Sequence, residues 1–152
     1  MAYGVAGLAL WLVFFLVVPP GERRACYPTL VFTALLATIA DLLGVVYNQW
    51  EYIGPTIGGL SIWSDFGIAP PQGGLAVYLQ RKYPARTPVN WLFWIGANAV
   101  GERLFVQWGL IQYHMWTSLK ATLFYFLFFA VIYVQNRLLT EKPERKDRQG
   151  MI

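Results

Sequence analysis

The chain has 152 residues, the length of one domain, of which 57% are hydrophobic, 17% aromatic and 13% charged. A soluble domain carries about a quarter charged residues, so this composition excludes a water-covered globule and points to lipid, where roughly 20 apolar residues cross the hydrocarbon core. A net charge of +4 and a pI near 9.3 do not indicate nucleic acid, because Lys and Arg sit in short clusters beside apolar runs and form no stripe on a soluble face.

Taken in chain order, the first predicted span covers 3–18 and is ended by Pro19-Pro20, which cannot continue a helix. No Lys or Arg precedes it and no small-residue cleavage site follows, so it reads as a retained span with its N-terminus outside. The second covers 28–47, with Pro28 in its first turn, where the missing N–H is harmless. The third, 57–80, contains Gly58-Gly59, Asp65, Pro70-Pro71 and Gly73-Gly74. These residues predict either a helix broken near Pro70-Pro71, its freed backbone groups packed against neighbours or water, or a short helix preceded by a re-entrant segment. The fourth covers 89–108 and the fifth 117–135. The basic tail, 140–152, is expected to be disordered and to lie against anionic lipid.

Charge decides whether the third element crosses. With five crossings, Arg23, Arg24, Arg81, Lys82, Arg86, Arg137, Lys142, Arg145, Lys146 and Arg148 all fall inside. The outer loops, 48–58 and 109–116, then hold neither Lys nor Arg. Lys and Arg beside spans prefer the cytoplasm strongly, so the third element is expected to cross. The predicted fold is therefore all-α, an integral membrane bundle of five transmembrane helices over 1–139, with a cytoplasmic C-terminus. Trp50, Tyr52, Trp63, Trp108, Tyr113 and Trp116 fall at the outer interface, and Tyr83, Trp91 and Trp94 at the inner one, as aromatic belts require. Arg81, Lys82, Arg86 and the tail are placed to meet anionic lipid headgroups.

Ionisable side chains within a bilayer are costly and face bundle interiors. Asp41 in the second span and Glu102 with Arg103 in the fourth qualify, and both acids lie in the outer half of the membrane. Asp65 and Lys120 approach the same level from the outer ends of the third and fifth spans. Asn98 and Glu102 share a face at i, i+4, whereas Arg103 points about 100° away. Ala34, Ala37, Thr38, Asp41, Gly44 and Asn48 form a small and polar stripe on the second span. Asp41, Asp65, Asn98, Glu102, Arg103 and Lys120 are thus the candidate ligand-binding residues, with Tyr113, His114 and Trp116 in the adjoining outer loop. Two readings compete: Arg103 neutralises Asp41 or Glu102 and locks the bundle, or the acids surround a cavity open to the outside. Cys26 is the one cysteine and His114 the one histidine, so neither a metal site nor a cofactor is expected.

Several short motifs carry a family resemblance over residues 27–137. They are Tyr27-Pro28-Thr29 with Asp41 following, Trp63-Ser64-Asp65 with Pro70 and Tyr78, and Glu102 with Trp108-Gly109-Leu110, Tyr113, Trp116 and Tyr125. In these the chain resembles the CBO0543 family of small multipass membrane proteins of Bacillus- and Clostridium-type bacteria, which has no established function. The resemblance implies a bacterial plasma membrane and no reaction. The function expected from the residues is binding or transport of a small polar or cationic ligand at an outward-facing site. The alternatives are a structural or accessory membrane subunit with a membrane-protein partner, and a lipid-acting enzyme using Glu102 and His114.

Overall fold

The computed structural model describes residues 2–140, the side chain of Thr140 excepted. The basic tail read from the sequence therefore lies outside the described residues from 141 onward. Five helices, α1 (Ala2–Val17), α2 (Pro20–Val46), α3 (Ala69–Lys82), α4 (Thr87–Gln107) and α5 (Ser118–Thr140), make up nearly all of the fold. Of these, α2 and residues Ser118–Leu139 of α5 are long and apolar enough to cross a membrane. The apolar helix α1 is shorter, at 16 residues. Large apolar side chains face outward along four helices: Leu16 of α1 is 76% exposed, Val31 of α2 70%, Leu92 of α4 70% and Leu119 of α5 71%. Polar residues, by contrast, are found inside: Thr29, Thr33, Asp41, Asp65 and Asn136 are buried. Apolar outside and polar inside is the make-up of a membrane-associated helical protein.

The prolines organise the first half of the chain. Pro20 opens α2 directly after α1 ends, so α2 starts eight residues before the expected Pro28, which lies inside the helix. Arg23, on the first turn of α2, reaches back to the carbonyls of Val18 (3.0 Å) and Phe15 (2.6 Å). It thereby places a cation on the C-terminal end of α1, where free carbonyls collect.

The third element is irregular before Pro70-Pro71 and is not broken at them, and residues 57–61 of the expected span are not helical. A π-helical segment, Trp63–Ile68, runs straight into α3 and places Pro70-Pro71 in the first turn of that helix. Pro70 has no N–H to give the Phe66 carbonyl four residues back, and the Trp11 indole of α1 supplies the donor at 3.1 Å. One turn earlier on α1, Gly7 rests on the backbone of Gly67. Gly73 and Gly74 lie mid-helix, against Thr33 and Leu30 of α2 and Phe14 of α1. Their missing side chains let α3 sit at the centre, packed on the other four helices. The core is formed by Phe14, Val18, Leu75, Val77, Tyr78, Phe129 and Ile132, among others.

Polar ties join the helices to one another. Asn90 of α4 donates to the Ala76 carbonyl of α3 (2.8 Å), and Thr29 of α2 donates to Gln135 of α5 (3.2 Å). At the end that carries the basic clusters, Arg81 meets the Cys26 sulfur at 3.0 Å.

At the opposite end two loops pair, which the all-helical expectation did not include. Strands β1 (Trp50–Tyr52) and β2 (Ile111–Tyr113) form an antiparallel ribbon with Trp50 opposite Tyr113, Glu51 opposite Gln112 and Tyr52 opposite Ile111. Asn48, with φ of 51°, makes the sharp exit from α2 into β1, a conformation asparagine tolerates better than most residues. The Gln49 carbonyl then accepts from the backbone N–H groups of His114, Met115 and Trp116, drawing the second loop onto the first.

Candidate functional site

Beneath the ribbon lies a cavity of about 240 Å³ lined by all five helices and both strands. Helix α2 contributes Ala37, Ala40 and Asp41, and α4 contributes Ala97, Asn98, Gly101 and Glu102. Tyr3 comes from α1, Trp50 and Tyr52 from β1, and Phe124 and Tyr125 from α5. The lining holds carboxylates, the amides of Gln72 and Asn98 and aromatic rings, but no Lys, Arg or His.

Two acids meet at one wall. Asp41 of α2 is 8% exposed and Asp65 of the π-helical segment 1%. Their carboxyls come within reach of each other, with the Tyr52 hydroxyl at Asp41 and Thr38 at Asp65. The π-helical turn brings this about, since its wider bore carries Asp65 toward α2 just before the prolines restart a regular helix. Asp41 Oδ2 and Asp65 Oδ1 are buried without a hydrogen-bond partner. Two carboxylates side by side in an apolar interior cost several kcal/mol each, and a shared proton or a neighbouring cation relieves that cost.

Glu102, on α4, is differently placed. It accepts hydrogen bonds from the Tyr113 hydroxyl of β2 and, at 3.1 Å, from the Trp116 indole. Burial and the Glu102 carboxylate hold the Tyr113 hydroxyl above the usual phenol range, and burial next to Asp41 does the same for Tyr52. Both hydroxyls therefore remain neutral donors in the physiological range.

The ribbon's rings close the cavity on the loop side. The Trp50 indole lies directly on Gly44, where a Cβ would displace it, and meets Trp116 with ring centroids 4.7 Å apart. The Tyr3 ring packs on Phe105 and on Tyr52, and its hydroxyl donates to the Leu110 carbonyl at 3.3 Å.

Of the residues singled out in the sequence, Asp41, Asn98, Glu102 and Trp116 line the cavity, Asp65 adjoins Asp41, and Tyr113 holds Glu102. The others lie elsewhere. Arg103 is on the exposed side of α4 and makes no ion pair with Asp41 or Glu102 among the described residues. Lys120 is exposed and donates to the Met115 carbonyl at 2.7 Å. His114 pairs with Glu51 at 3.3 Å, away from the cavity wall. Sequence reasoning missed Tyr52, Tyr125, Ser64 and Tyr3 as site residues. The one signal for Tyr52 was its place in the short aromatic run Trp50-Glu51-Tyr52.

The chain matches none of the family models, curated proteins or solved structures compared with it.

Proposed function

We propose that this chain is a five-span protein of a bacterial plasma membrane, N-terminus outside and C-terminus in the cytoplasm, that binds a small organic cation in the outer half of the bilayer. The carrying observation is Asp41, nine-tenths buried and with one oxygen left without a hydrogen-bond partner, in the wall of a cavity whose lining has no cationic side chain. Asp65 adds a second carboxyl, and the aromatic walls add ring faces that attract cations by their quadrupoles. A helix interrupted at such a wall is also what ligand sites in membrane transporters use. The class is a binding or transport-type membrane protein, and kinship with the resembled family is part of this proposal.

Glu102 favours a second reading. Its carboxylate already has two protein donors, as a residue that only ties the ribbon to α4 would have. Titration calorimetry on the protein in lipid nanodiscs separates the two, with tetramethylammonium, tetraethylammonium and octyltrimethylammonium as probes. Saturable binding of at least one is expected, lost in Asp41→Asn and weakened about tenfold in Glu102→Gln, the tenfold being one lost charged contact of about 1.4 kcal/mol. If none of the three binds, the cation-site reading fails and the structural one stands.

A further inference from the structure

The cavity is walled unequally. Around it α1 packs on the π-helical segment, that segment on α2, α2 on α5, and α5 on α4. The ring does not close between α4 and α1, which form no packed interface among the described residues. They are bridged at the ribbon end by the ring of Tyr3 on Phe105. Below that bridge, α1 presents Ala6 and Leu10 to the cavity and α4 presents Ala97 and Gly101. Ala97 is at once exposed on the outer surface and part of the cavity lining, which places it at a mouth. A Cβ built on Gly101 meets nothing within 4 Å, so space continues past the helix backbone there. The end toward the loops, in contrast, is covered by Trp50, Trp116 and Tyr52.

From this geometry we infer that the ligand is an amphiphilic organic ammonium, entering sideways from the outer leaflet between α1 and α4, its charged head at Asp41, with Asp65 behind it, and its apolar tail in the mouth. The inference rests on the cation-site reading above and adds the tail and the route. Three observations favour an organic cation with an apolar body. Among the described residues no three His, Cys, Asp or Glu side chains converge as a metal ion requires. The interior walls are rings and small apolar residues, suited to a diffuse charge and to hydrocarbon. The outer surfaces of α1 and α4 carry exposed apolar residues, Val5 and Leu8 on the first and Leu92 and Phe93 on the second, as a tail that leaves the mouth into hydrocarbon requires.

The test is a chain-length series on the protein in nanodiscs: tetramethylammonium, butyltrimethylammonium and octyltrimethylammonium, each measured against Asp41→Asn to subtract partition into lipid. Asp41-dependent affinity is expected to rise at least tenfold from the first to the last. Gly101→Leu, which fills free space at the mouth, is expected to weaken octyltrimethylammonium at least tenfold more than it weakens tetramethylammonium. Ala97→Phe is the second blocking variant, and monodisperse elution of either shows that it folds. Equal affinity along the series overturns the amphiphile and leaves the cation site standing. A full length dependence that neither folded blocking variant alters overturns the lateral mouth. Absence of any Asp41-dependent binding overturns both the inference and the reading it rests on.

Discussion

A methyl group at Gly73 would overlap the Thr33 hydroxyl, and one at Gly74 would come within 2.6 Å of Leu30 and 2.8 Å of Phe14. Both contacts are deep in the packing of α3 on α2 and α1, where little can yield. Overpacking a filled interior costs about 1–3 kcal/mol, so Gly73→Ala is expected to lower thermal stability in detergent by that amount. Gly96→Ala is the control: a Cβ there meets nothing within 4 Å, and the gain in helix propensity is up to about 1 kcal/mol. If the two variants melt alike, α3 does not pack as described. The sequence showed these glycines only as helix breakers, because propensity is local and the surfaces that need their absent side chains belong to other helices. Asp41, Asn98 and Glu102 were legible for the opposite reason, since a polar residue in an apolar helix has few places to go. The direction of Arg103 followed from helix periodicity alone. Its lack of an acidic partner did not, because pairing depends on which face of α4 the neighbours cover.

At the scale of elements, the ribbon of β1 and β2 is the part that sequence periodicity could not reveal. Three residues give no measurable alternation, and the paired strands are far apart in sequence, Trp50 facing Tyr113. What holds them is local: the Gln49 carbonyl with its three donors, and rings that fit over Gly44. Directly opposed residues in an antiparallel pair lie about 4.5–5.5 Å apart at Cα, within the range a disulfide spans. Glu51→Cys combined with Gln112→Cys is therefore expected to oxidise to an intramolecular bridge, seen as a mobility shift on non-reducing gels. With the ribbon so locked, octyltrimethylammonium should bind as fast as before, because its route passes between α1 and α4. A slowed association on oxidation, restored by reductant, would place the entrance at the loops. The third helix was partly legible at this scale. Its irregularity was expected near Pro70-Pro71, and it falls just before them, in a π-helical turn that delivers Asp65 to Asp41. The form of the irregularity depended on Trp11 and Gly7 of α1, which no reading of the third element by itself contains.

For the whole molecule, the basic residues described at one end and the ribbon at the other define two poles. Arg23, Arg24, Arg81, Lys82 and Arg86 lie around the α1–α2 and α3–α4 connections, and the ribbon joins the α2–π-helix and α4–α5 connections. Charge asymmetry made this polarity legible, whereas hydropathy alone singles out only two helices. The reason is visible in α4, whose Asn90, Asn98, Glu102, Arg103 and Gln107 depress its mean hydropathy; Asn98 and Glu102 serve the cavity and Asn90 serves α3. In the proposed topology, alkaline phosphatase fused after Trp50 is active and after Tyr83 inactive, with a cytoplasmic reporter giving the reverse. Activity after Tyr83 would remove the third crossing and, with it, the common membrane depth of Asp41, Asp65 and Glu102.

Trp50 and Trp116 face each other at 4.7 Å with their planes 59° apart, one from each loop, in the covering of the cavity. Two indoles so close and so inclined share their electronic excitation, and the sign and size of the resulting circular-dichroism couplet depend on their mutual angle. The protein thus carries an intrinsic optical gauge of whether its covering is seated, readable without a label.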